Sequence, residues 1–139
     1  MSALRRVAAR PTWLLSRANA RAQGLLADAF GAEGVRGYHF RLLAALDQYG
    51  PSSQAHLGRH TGIDRSDVVA ALNELVERGL AERQPDLSDR RRNVISLTRR
   101  GADTLERLDA VLDDVQEAVL APLTSGERAT LVRLLARLT

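Results

Sequence analysis

Cysteine and lysine are both absent from this chain of 139 residues. Without cysteine, the chain can form no disulfide, no thiolate metal site and no cysteine redox switch. The absence of lysine leaves arginine as the basic residue, which we attribute to composition and not to function. No apolar run approaches the roughly 20 residues that a membrane-spanning helix needs. Because the start MSALRRVAARPTW also lacks the apolar core of a signal peptide, we expect a cytoplasmic protein.

The composition is that of a globular domain. Hydrophobic residues make up 45% of the chain and charged residues 27%, which is too apolar a balance for a disordered protein. The length suffices to bury a core. We therefore predict one domain, or one domain with a helical extension.

The positive charge is concentrated in two short segments. Between Arg83 and Arg100, six arginines stand against two aspartates, a local balance of +4. The first ten residues add three arginines, and the rest of the chain is weakly acidic at −4. An acidic body with basic patches is typical of a protein that binds nucleic acid.

Apolar residues recur at helical spacing along most of the chain. Proline, glycine and capping residues set the predicted ends. The predicted long helices span 12–30, 35–49, 99–120 after a Thr98 cap, and 125–138 after a Thr124 capping box.

A winged helix-turn-helix is predicted in the middle of the chain. Two short helices, at 53–60 and 65–78, are joined by a turn that contains Gly62. Asp64 and Asp67 resemble a capping box at the start of the second helix. Strands at 80–83 and 93–97 then form a hairpin around a loop at 85–92. This order predicts a mainly α (α+β) fold in which the second helix enters a major groove and the arginine-rich hairpin reaches the neighbouring backbone or minor groove.

The segment Gly50–Gly101 strongly resembles the MarR family of bacterial transcriptional regulators. The ending LTSGERATLVRLL and the order of the flanking helices match as well, so the resemblance covers essentially the whole chain after about residue 10. Its most specific elements are Leu75-x-x-x-Gly79-Leu80, Asp89-x-Arg91, Leu97-Thr98 and Gly101.

The resemblance implies a homodimer that binds a pseudo-palindromic operator in double-stranded DNA. Residues 11–34 and 98–139 would form the helical dimerisation region, and residues 35–97 the winged helix-turn-helix DNA-binding domain. Residues 1–10 would be a basic N-terminal tail, which we expect to be disordered.

The resemblance implies DNA contacts on two elements. One is the hairpin with its loop at 85–92, called here the wing, and the other is the second short helix at 65–78, called here the recognition helix. Arg91 takes the place of the wing arginine that enters the minor groove, and Asp89 that of the acid that orients it; Arg90, Arg92 and Asn93 are expected phosphate contacts. On the recognition helix the matching positions are Arg65, Ser66, Asp67, Val69, Ala70 and Asn73. Val69-Ala70 stands where the family commonly has Thr-Arg, so one cationic contact is lost, for which Arg65 or a contact of Val69 with a thymine methyl group could compensate.

Two aspartates of this surface have alternative roles. Asp89 could orient Arg91 by charge-assisted hydrogen bonds or cap the turn of the wing, and both roles can coexist. For Asp67 we favour a helix cap over a contact with cytosine or an arginine, because an acid near phosphate is repelled.

Members of the family commonly bind small anionic or aromatic effectors between the dimerisation helices and the winged domain. The residues that the resemblance places there are Trp13, Arg17, Tyr38, His39 and Asp47. They partly match a branch that responds to urate-like or carboxylate metabolites. Core or dimer packing is the alternative role of Trp13, and the commoner one for such a residue.

His56 and His60 are four residues apart, which is a spacing of metal ligands. The third histidine, His39, lies on another predicted helix, and the glutamate of HExxH is missing. We therefore expect two solvent-facing histidines and neither metal nor cofactor. An enzyme is excluded because the sequence shows no nucleophile–base pair, no glycine-rich phosphate loop and no complete metal set.

The sequence thus predicts a dimeric, sequence-specific transcriptional regulator, a repressor relieved by a small-molecule effector, located with the bacterial nucleoid. The alternative is a winged-helix module that binds proteins and not specific DNA. The alternative is favoured by apolar and acidic residues on the recognition helix, namely Val69-Ala70 with Asp67 and Glu74. DNA binding is favoured by the local charge balance of +4 around the wing.

Overall fold

Six helices and three short strands form residues 4–139, the part of the chain that the computed structural model describes. The helices are α1 (Pro11–Ala32), α2 (Gly37–Tyr49), α3 (Gln54–Thr61), α4 (Arg65–Glu77), α5 (Arg99–Leu120) and α6 (Ser125–Ala136). The strands are β1 (Ser52–Ser53), β2 (Ala81–Pro85) and β3 (Asn93–Leu97). Within the described residues, no helix is both long and apolar enough to cross a membrane.

The predicted helices and hairpin are confirmed, and their ends lie within two residues of the expected ones. The strand β1 was not predicted. It pairs with β3 through Ser52 opposite Ile95 and Ser53 opposite Val94, which makes an antiparallel sheet in the order β1-β3-β2. Two residues are too short to show the period-2 alternation by which a strand is recognised in a sequence.

The chain divides into two compact units. One contains Leu112–Thr139 and the described residues up to Ala29, and the other is Phe30–Val111. The second unit, called here the winged unit, holds the helix-turn-helix, the sheet and the first half of α5. Its core is made of side chains that are less than 2% exposed, among them Leu42, Leu43, Leu57, Leu72, Leu75, Ile95 and Leu108. The predicted winged helix-turn-helix is therefore present.

The other unit joins the two ends of the chain. The Arg21 guanidinium donates to the carbonyl oxygens of Val119 (2.8 Å) and Ala118 (2.9 Å), which satisfies two of the open carbonyls at the end of α5. Before α1, Ala8 donates to the Leu4 carbonyl at 2.9 Å, so this part of the tail is a hydrogen-bonded turn. The expected disorder of residues 1–3 lies outside the described residues.

The recognition helix α4 ends in a glycine-dependent turn. Gly79 has a φ of 73°, a left-handed conformation that favours glycine. Its N–H donates to the Val76 carbonyl (3.0 Å), and the N–H of Leu80 donates to the Leu75 carbonyl (2.9 Å). These two bonds form a Schellman motif, which turns the chain directly from α4 into β2.

The start of α5 packs against this turn. The Thr98 hydroxyl donates to the Gly79 carbonyl (2.7 Å) and accepts from the Gly101 N–H (3.0 Å), so one side chain caps α5 and fastens it to the end of α4. A Cβ at Gly101 would overlap the Leu80 carbonyl and lie 2.8 Å from Leu97 Cδ1. Leu97, Thr98 and Gly101, which the resemblance singled out, thus form one close backbone contact.

We expect Gly101→Ala to lower the free energy of unfolding by about 3 kcal/mol, because the added methyl group meets backbone that cannot turn aside. Urea denaturation measures this loss. Gly37→Ala is the matched control, since a Cβ there has no atom within 4 Å and the residue lies in the same unit. Equal stability of the two variants would contradict the close contact.

Candidate nucleic-acid interface

The outward face of α4 carries the residues predicted to contact DNA. Val68, Ala71, Leu72 and Leu75 are buried on the inner face. The exposed residues are Arg65, Ser66, Val69, Ala70 and Asn73, and Asp67 is half-buried. Since positions i, i+4 and i+8 lie on one side of a helix, Arg65, Val69 and Asn73 form a continuous stripe. The predicted exposure of this face is confirmed, and its contact with DNA stays a prediction.

The start of α4 lacks the side-chain capping hydrogen bonds that the sequence predicts. Asp64 occupies the N-cap position, but its side chain makes no capping hydrogen bond, and among the described residues Asp67 makes no side-chain hydrogen bond at all. The predicted capping box and the cap role of Asp67 are therefore wrong. An aspartate at the third helical position is one methylene shorter than the glutamate of a capping box, which accounts for the missing reciprocal bond. The first N–H groups of α4 thus lack a side-chain cap, as an anion-binding helix start requires.

A groove of about 700 Å³ separates α4 from the wing. Arg65 and Val69 form its α4 wall, and Arg91, Arg92 and Asn93 form the wall on the wing. The floor includes Gln54, Gly58 and Arg59 of α3. Five of the predicted DNA-binding residues are therefore brought to one concave surface, although β3 follows α4 by 15 residues or more in the sequence.

Asp89 holds the backbone and the side chain of Arg91 together. Its Oδ1 atom accepts from the Arg91 N–H at 3.1 Å and from Arg91 Nε at 3.3 Å. Both roles considered for Asp89, the turn cap and the orienting partner, are thus present in one residue. The Arg91 side chain remains 92% exposed, so the contact directs the guanidinium without covering it.

A second aspartate supports the neighbouring arginine. Arg92 Nη2 lies 3.6 Å from Asp86 Oδ2, and Arg92 Nε lies 3.7 Å from Asp89 Oδ2. Hydrogen bonds from the hydroxyl and N–H of Ser88 lower the pKa of Asp86, and Arg92 acts in the same direction. The Asp86 carboxylate is therefore charged near neutral pH and can hold the Arg92 guanidinium by charge.

Comparison with known proteins agrees with this geometry. Residues 33–92 match the model of the MarR family. A probable transcriptional regulator from Pseudomonas aeruginosa is 35% identical, with a TM-score of 0.84 over 94% of this chain and 98% of that one. The chain belongs to the MarR family. The resemblance inferred from the sequence is thereby confirmed.

Two further relatives extend the comparison. The HTH-type transcriptional repressor NicR of Pseudomonas putida is 33% identical over 99 residues, which is 71% of this chain and 63% of NicR. The chain thus spans less than two thirds of that relative. The PcaV transcriptional regulator of Streptomyces coelicolor, solved in complex with its natural ligand, is 27% identical, with a TM-score of 0.79 over 99% of this chain and 96% of that one.

Two arginines that lie on or contact the helix-turn-helix were missed from the sequence. Arg59 on α3 is exposed and lines the groove beside Arg92. The sequence HLGRH had drawn attention only to its histidines, although an arginine on the first helix of a helix-turn-helix is itself a signal. Arg83 on β2 donates from Nη2 to Asn73 Oδ1 at 2.9 Å and so contacts the recognition helix.

His39 is a buried link between α2 and α4. Its Nδ1 atom accepts from the Arg36 N–H at 3.0 Å, and its Nε2 atom lies 2.6 Å from Glu74 Oε2. Arg36 also donates to both Glu74 oxygens, at 2.9 and 3.0 Å. Because Nδ1 faces a donor, the imidazole is neutral with its proton on Nε2. Burial lowers the pKa of His39 against the opposing effect of Glu74.

The residues predicted for an effector site fall in both units. Trp13 and Arg17 lie in one unit, and Tyr38, His39 and Asp47 lie in the other. The Arg17 guanidinium carbon is 5.8 Å from the centre of a Trp13 ring, which is a cation–π distance. Tyr38 pairs with Arg41 in the same way, and Asp47 is exposed. Because both ring nitrogens of His39 are engaged within the protein, His39 offers no free nitrogen to a ligand and is removed from this set.

His56 and His60 form an aromatic cluster with Tyr49. Their ring centres are 4.2 Å apart, and the Tyr49 ring lies 4.3 Å from His60. His60 is exposed as predicted, whereas His56 is half-buried, because the ring packs edge to face with Tyr49. The described part of the chain holds no group of three or more metal-ligating side chains.

The buried imidazole of His39 makes stability depend on pH. A histidine whose pKa is lowered on folding stabilises the folded state above the ordinary value of 6.5 and loses this contribution as the pH falls through it. We expect the free energy of unfolding to decrease as the pH falls from about 7.5 to about 5.5. The decrease should be less steep in His39→Gln, whose side-chain amide can still donate to Glu74.

Urea denaturation at the two pH values measures the difference. His56→Gln serves as the comparison, because it removes a different histidine whose pKa is lowered and leaves the contact of His39 with Glu74 in place. His56, whose pKa burial also lowers, accounts for the part that remains in His39→Gln. An unchanged pH dependence in His39→Gln would show that His39 does not carry it.

Proposed function

We propose that this MarR-family chain is a dimeric, sequence-specific DNA-binding transcriptional regulator, and that it represses until a small molecule releases it from its operator. The observation that carries the proposal is the groove between α4 and the wing. An exposed helix face forms one of its walls, and arginines oriented by aspartates form the other. This is the surface that a winged helix-turn-helix presents to a major groove and the adjoining backbone.

Affinity would come mainly from phosphate contacts. Arg59, Arg65 and Arg92 line the groove at different levels, on α3, α4 and the wing. Each arginine that neutralises a phosphate releases bound counterions, so binding should weaken as salt rises. Arg5, Arg6 and Arg10 of the tail are further candidates for such contacts.

Specificity would come from the start of α4 and from Arg91. The first turn of a recognition helix is the part that reaches base edges, and Arg65, Ser66 and Val69 are exposed there. Arg91 at the exposed wing is placed to read a narrow minor groove, where the negative potential of an A·T tract is strongest.

Apolar side chains at the two ends of the chain support the dimer. Leu14 on α1 is 51% exposed, and Val132 and Leu134 on α6 are 60% and 44% exposed. Leu138, just beyond α6, is 70% exposed. Apolar side chains gathered in one unit favour an interface with a second copy, which would set the spacing of two operator half-sites.

Release by a small molecule is supported by the relatives and by Trp13. PcaV was solved with its natural ligand, and NicR is named a repressor. The pairing of Arg17 with the Trp13 ring joins a positive charge and an aromatic face, as an anionic aromatic effector requires. A repressor of this kind acts on DNA in the bacterial cytoplasm, and no enzymatic step is part of the proposal.

Arg91→Ala should reduce affinity for the operator at least tenfold while leaving the dimer folded, because the exposed Arg91 contributes to minor-groove recognition and little to packing. The operator is first obtained by selection from random DNA, and affinities are measured by mobility shift. Arg107→Ala is the control, since it removes the same charge from the same unit at an exposed ion pair with Glu33.

Undiminished operator binding by Arg91→Ala would contradict the role of the wing. If the wild-type protein selects no DNA from the random pool, the alternative of a protein-binding module gains support. The fully exposed Leu87 of the wing and the exposed Val69 of α4 would then be the apolar contacts of such a module.

Arg92→Ala should weaken operator and random DNA to a similar degree and lower the salt slope by about one unit, because a phosphate contact carries no sequence information. The titration is repeated at several salt concentrations. A loss confined to the operator would instead assign Arg92 to base recognition.

A further inference from the structure

Asn73 on the recognition helix is held by an arginine of the sheet. Arg83 Nη2 donates to Asn73 Oδ1 at 2.9 Å, and the two residues are ten positions apart. Asn73 is exposed and lies on the stripe with Arg65 and Val69, whereas Arg83 is half-buried. The contact thus joins a residue that faces the proposed DNA to a residue behind it.

The register of the sheet places Arg83 at this position. Ala81 is buried on the side of β2 that packs on α4, and because side chains alternate along a strand, Arg83 points to that side too. Its pairing with Ile95, which is fully buried in β3, fixes the height of Arg83 along α4. The Nε atom of Arg83 is buried without a hydrogen-bond partner among the described residues, so the link to Asn73 is made by the end of the guanidinium.

The Arg83 guanidinium determines which end of the Asn73 side-chain amide faces outward. A guanidinium has only donors, so only the oxygen of the amide can face it. Oxygen and nitrogen occupy opposite branches of one planar group. With Oδ1 turned to Arg83, the Nδ2 donors are therefore the atoms that Asn73 presents outward.

We propose that Arg83 is a positioning residue that sets Asn73 as a donor-only contact, so that Asn73 recognises a hydrogen-bond acceptor on DNA. This inference rests on the proposed function of the chain as a DNA-binding protein. Two sources supply such an acceptor: the O6 and N7 atoms of guanine or the O4 atom of thymine, and the oxygens of a phosphate. Adenine N7 also accepts, but the N6 amino group beside it is a donor, so adenine is the weaker partner for a donor-only contact. Bidentate recognition of adenine is excluded, because it needs the amide oxygen to accept from the adenine amino group while the nitrogen donates to N7.

The test compares Arg83→Met, Asn73→Ala and the double variant on the operator selected by the wild-type protein. Methionine keeps an apolar stem against α4 and removes the donors. Arg83→Met should weaken operator binding about fivefold, because the freed amide must be ordered again on binding. In the Asn73→Ala background the same change should cost less than about twofold, since the residue to be positioned is gone. Arg83→Lys, which keeps a donor, should restore most of the loss.

The salt slope separates positioning from direct contact. A positioning arginine leaves the slope unchanged when it is replaced, whereas an arginine that binds phosphate lowers it by about one unit. Gln84→Ala is the control for the strand, because that residue is exposed on the opposite side of β2. Circular dichroism and thermal unfolding verify that each variant is folded.

Selection from random DNA separates the two sources of the acceptor. With a base contact, Asn73→Ala relaxes one position that prefers guanine or thymine, and Arg83→Met admits adenine there. With a phosphate contact, Asn73→Ala weakens all sequences equally and no position changes. Either pattern supports the inference.

Three results would overturn the inference while leaving the proposed function intact. The first is a wild-type preference for adenine at the position relaxed by Asn73→Ala. The second is a loss of operator affinity in the double variant that equals the sum of the two single losses in free energy. The third is a lower salt slope in Arg83→Met. Absence of DNA binding by the wild-type protein would be a different failure, since it would remove the proposed function itself.

Discussion

The close packing of the start of α5 on the end of α4 is the contact on which the rest of the winged unit depends. At this point α4 ends, β2 begins, β3 ends and α5 begins. Thr98 joins these ends because its hydroxyl donates to the Gly79 carbonyl and accepts from the Gly101 N–H. Hydrogen is the only side chain that position 101 can carry so near the Leu80 carbonyl. The base of the wing is thus fixed to the recognition helix by part-buried hydrogen bonds of the Thr98 hydroxyl to backbone groups and by the close approach of Gly101 to the Leu80 carbonyl.

The far end of the wing is held differently. Asp86 and Asp89 contact Arg91 and Arg92 at distances of 3.3 to 3.7 Å, and both arginine side chains are more than half exposed. Exposed ion pairs contribute little to stability, at most about 1 kcal/mol each. Such contacts limit the directions of the arginines before binding, yet phosphate oxygens can replace the carboxylates at small cost. A firm base and an exchangeable tip would suit the proposed contact of this hairpin with DNA.

The recognition helix shows a similar division along its length. Glu74, in its second half, is bound by Arg36 and by the buried His39, and the neighbouring Asn73 is bound by Arg83. At its start, Asp64 gives no side-chain cap. The second half of α4 is therefore tied to α2 and to the sheet, while the first half has no side-chain cap and carries exposed side chains. Hydrogen bonds of Glu74 and Asn73 thus hold one half of the helix, and the side chains on the outward face of the other half stay exposed.

The sequence by itself determined which helices and which hairpin form, and the local motifs at their ends. Helical periodicity located all six helices, and the residues from Leu97 to Gly101 marked the start of α5, because such signals depend on neighbours a few positions apart. Only the tertiary structure decided that β1 joins the sheet, that His39 is buried against Glu74, and that Arg83 holds Asn73. These contacts join residues 10 to 43 positions apart, and a polar pair at such a distance leaves no periodic pattern in the chain. Their formation follows from how the helices and the sheet pack, which no local pattern of residues specifies.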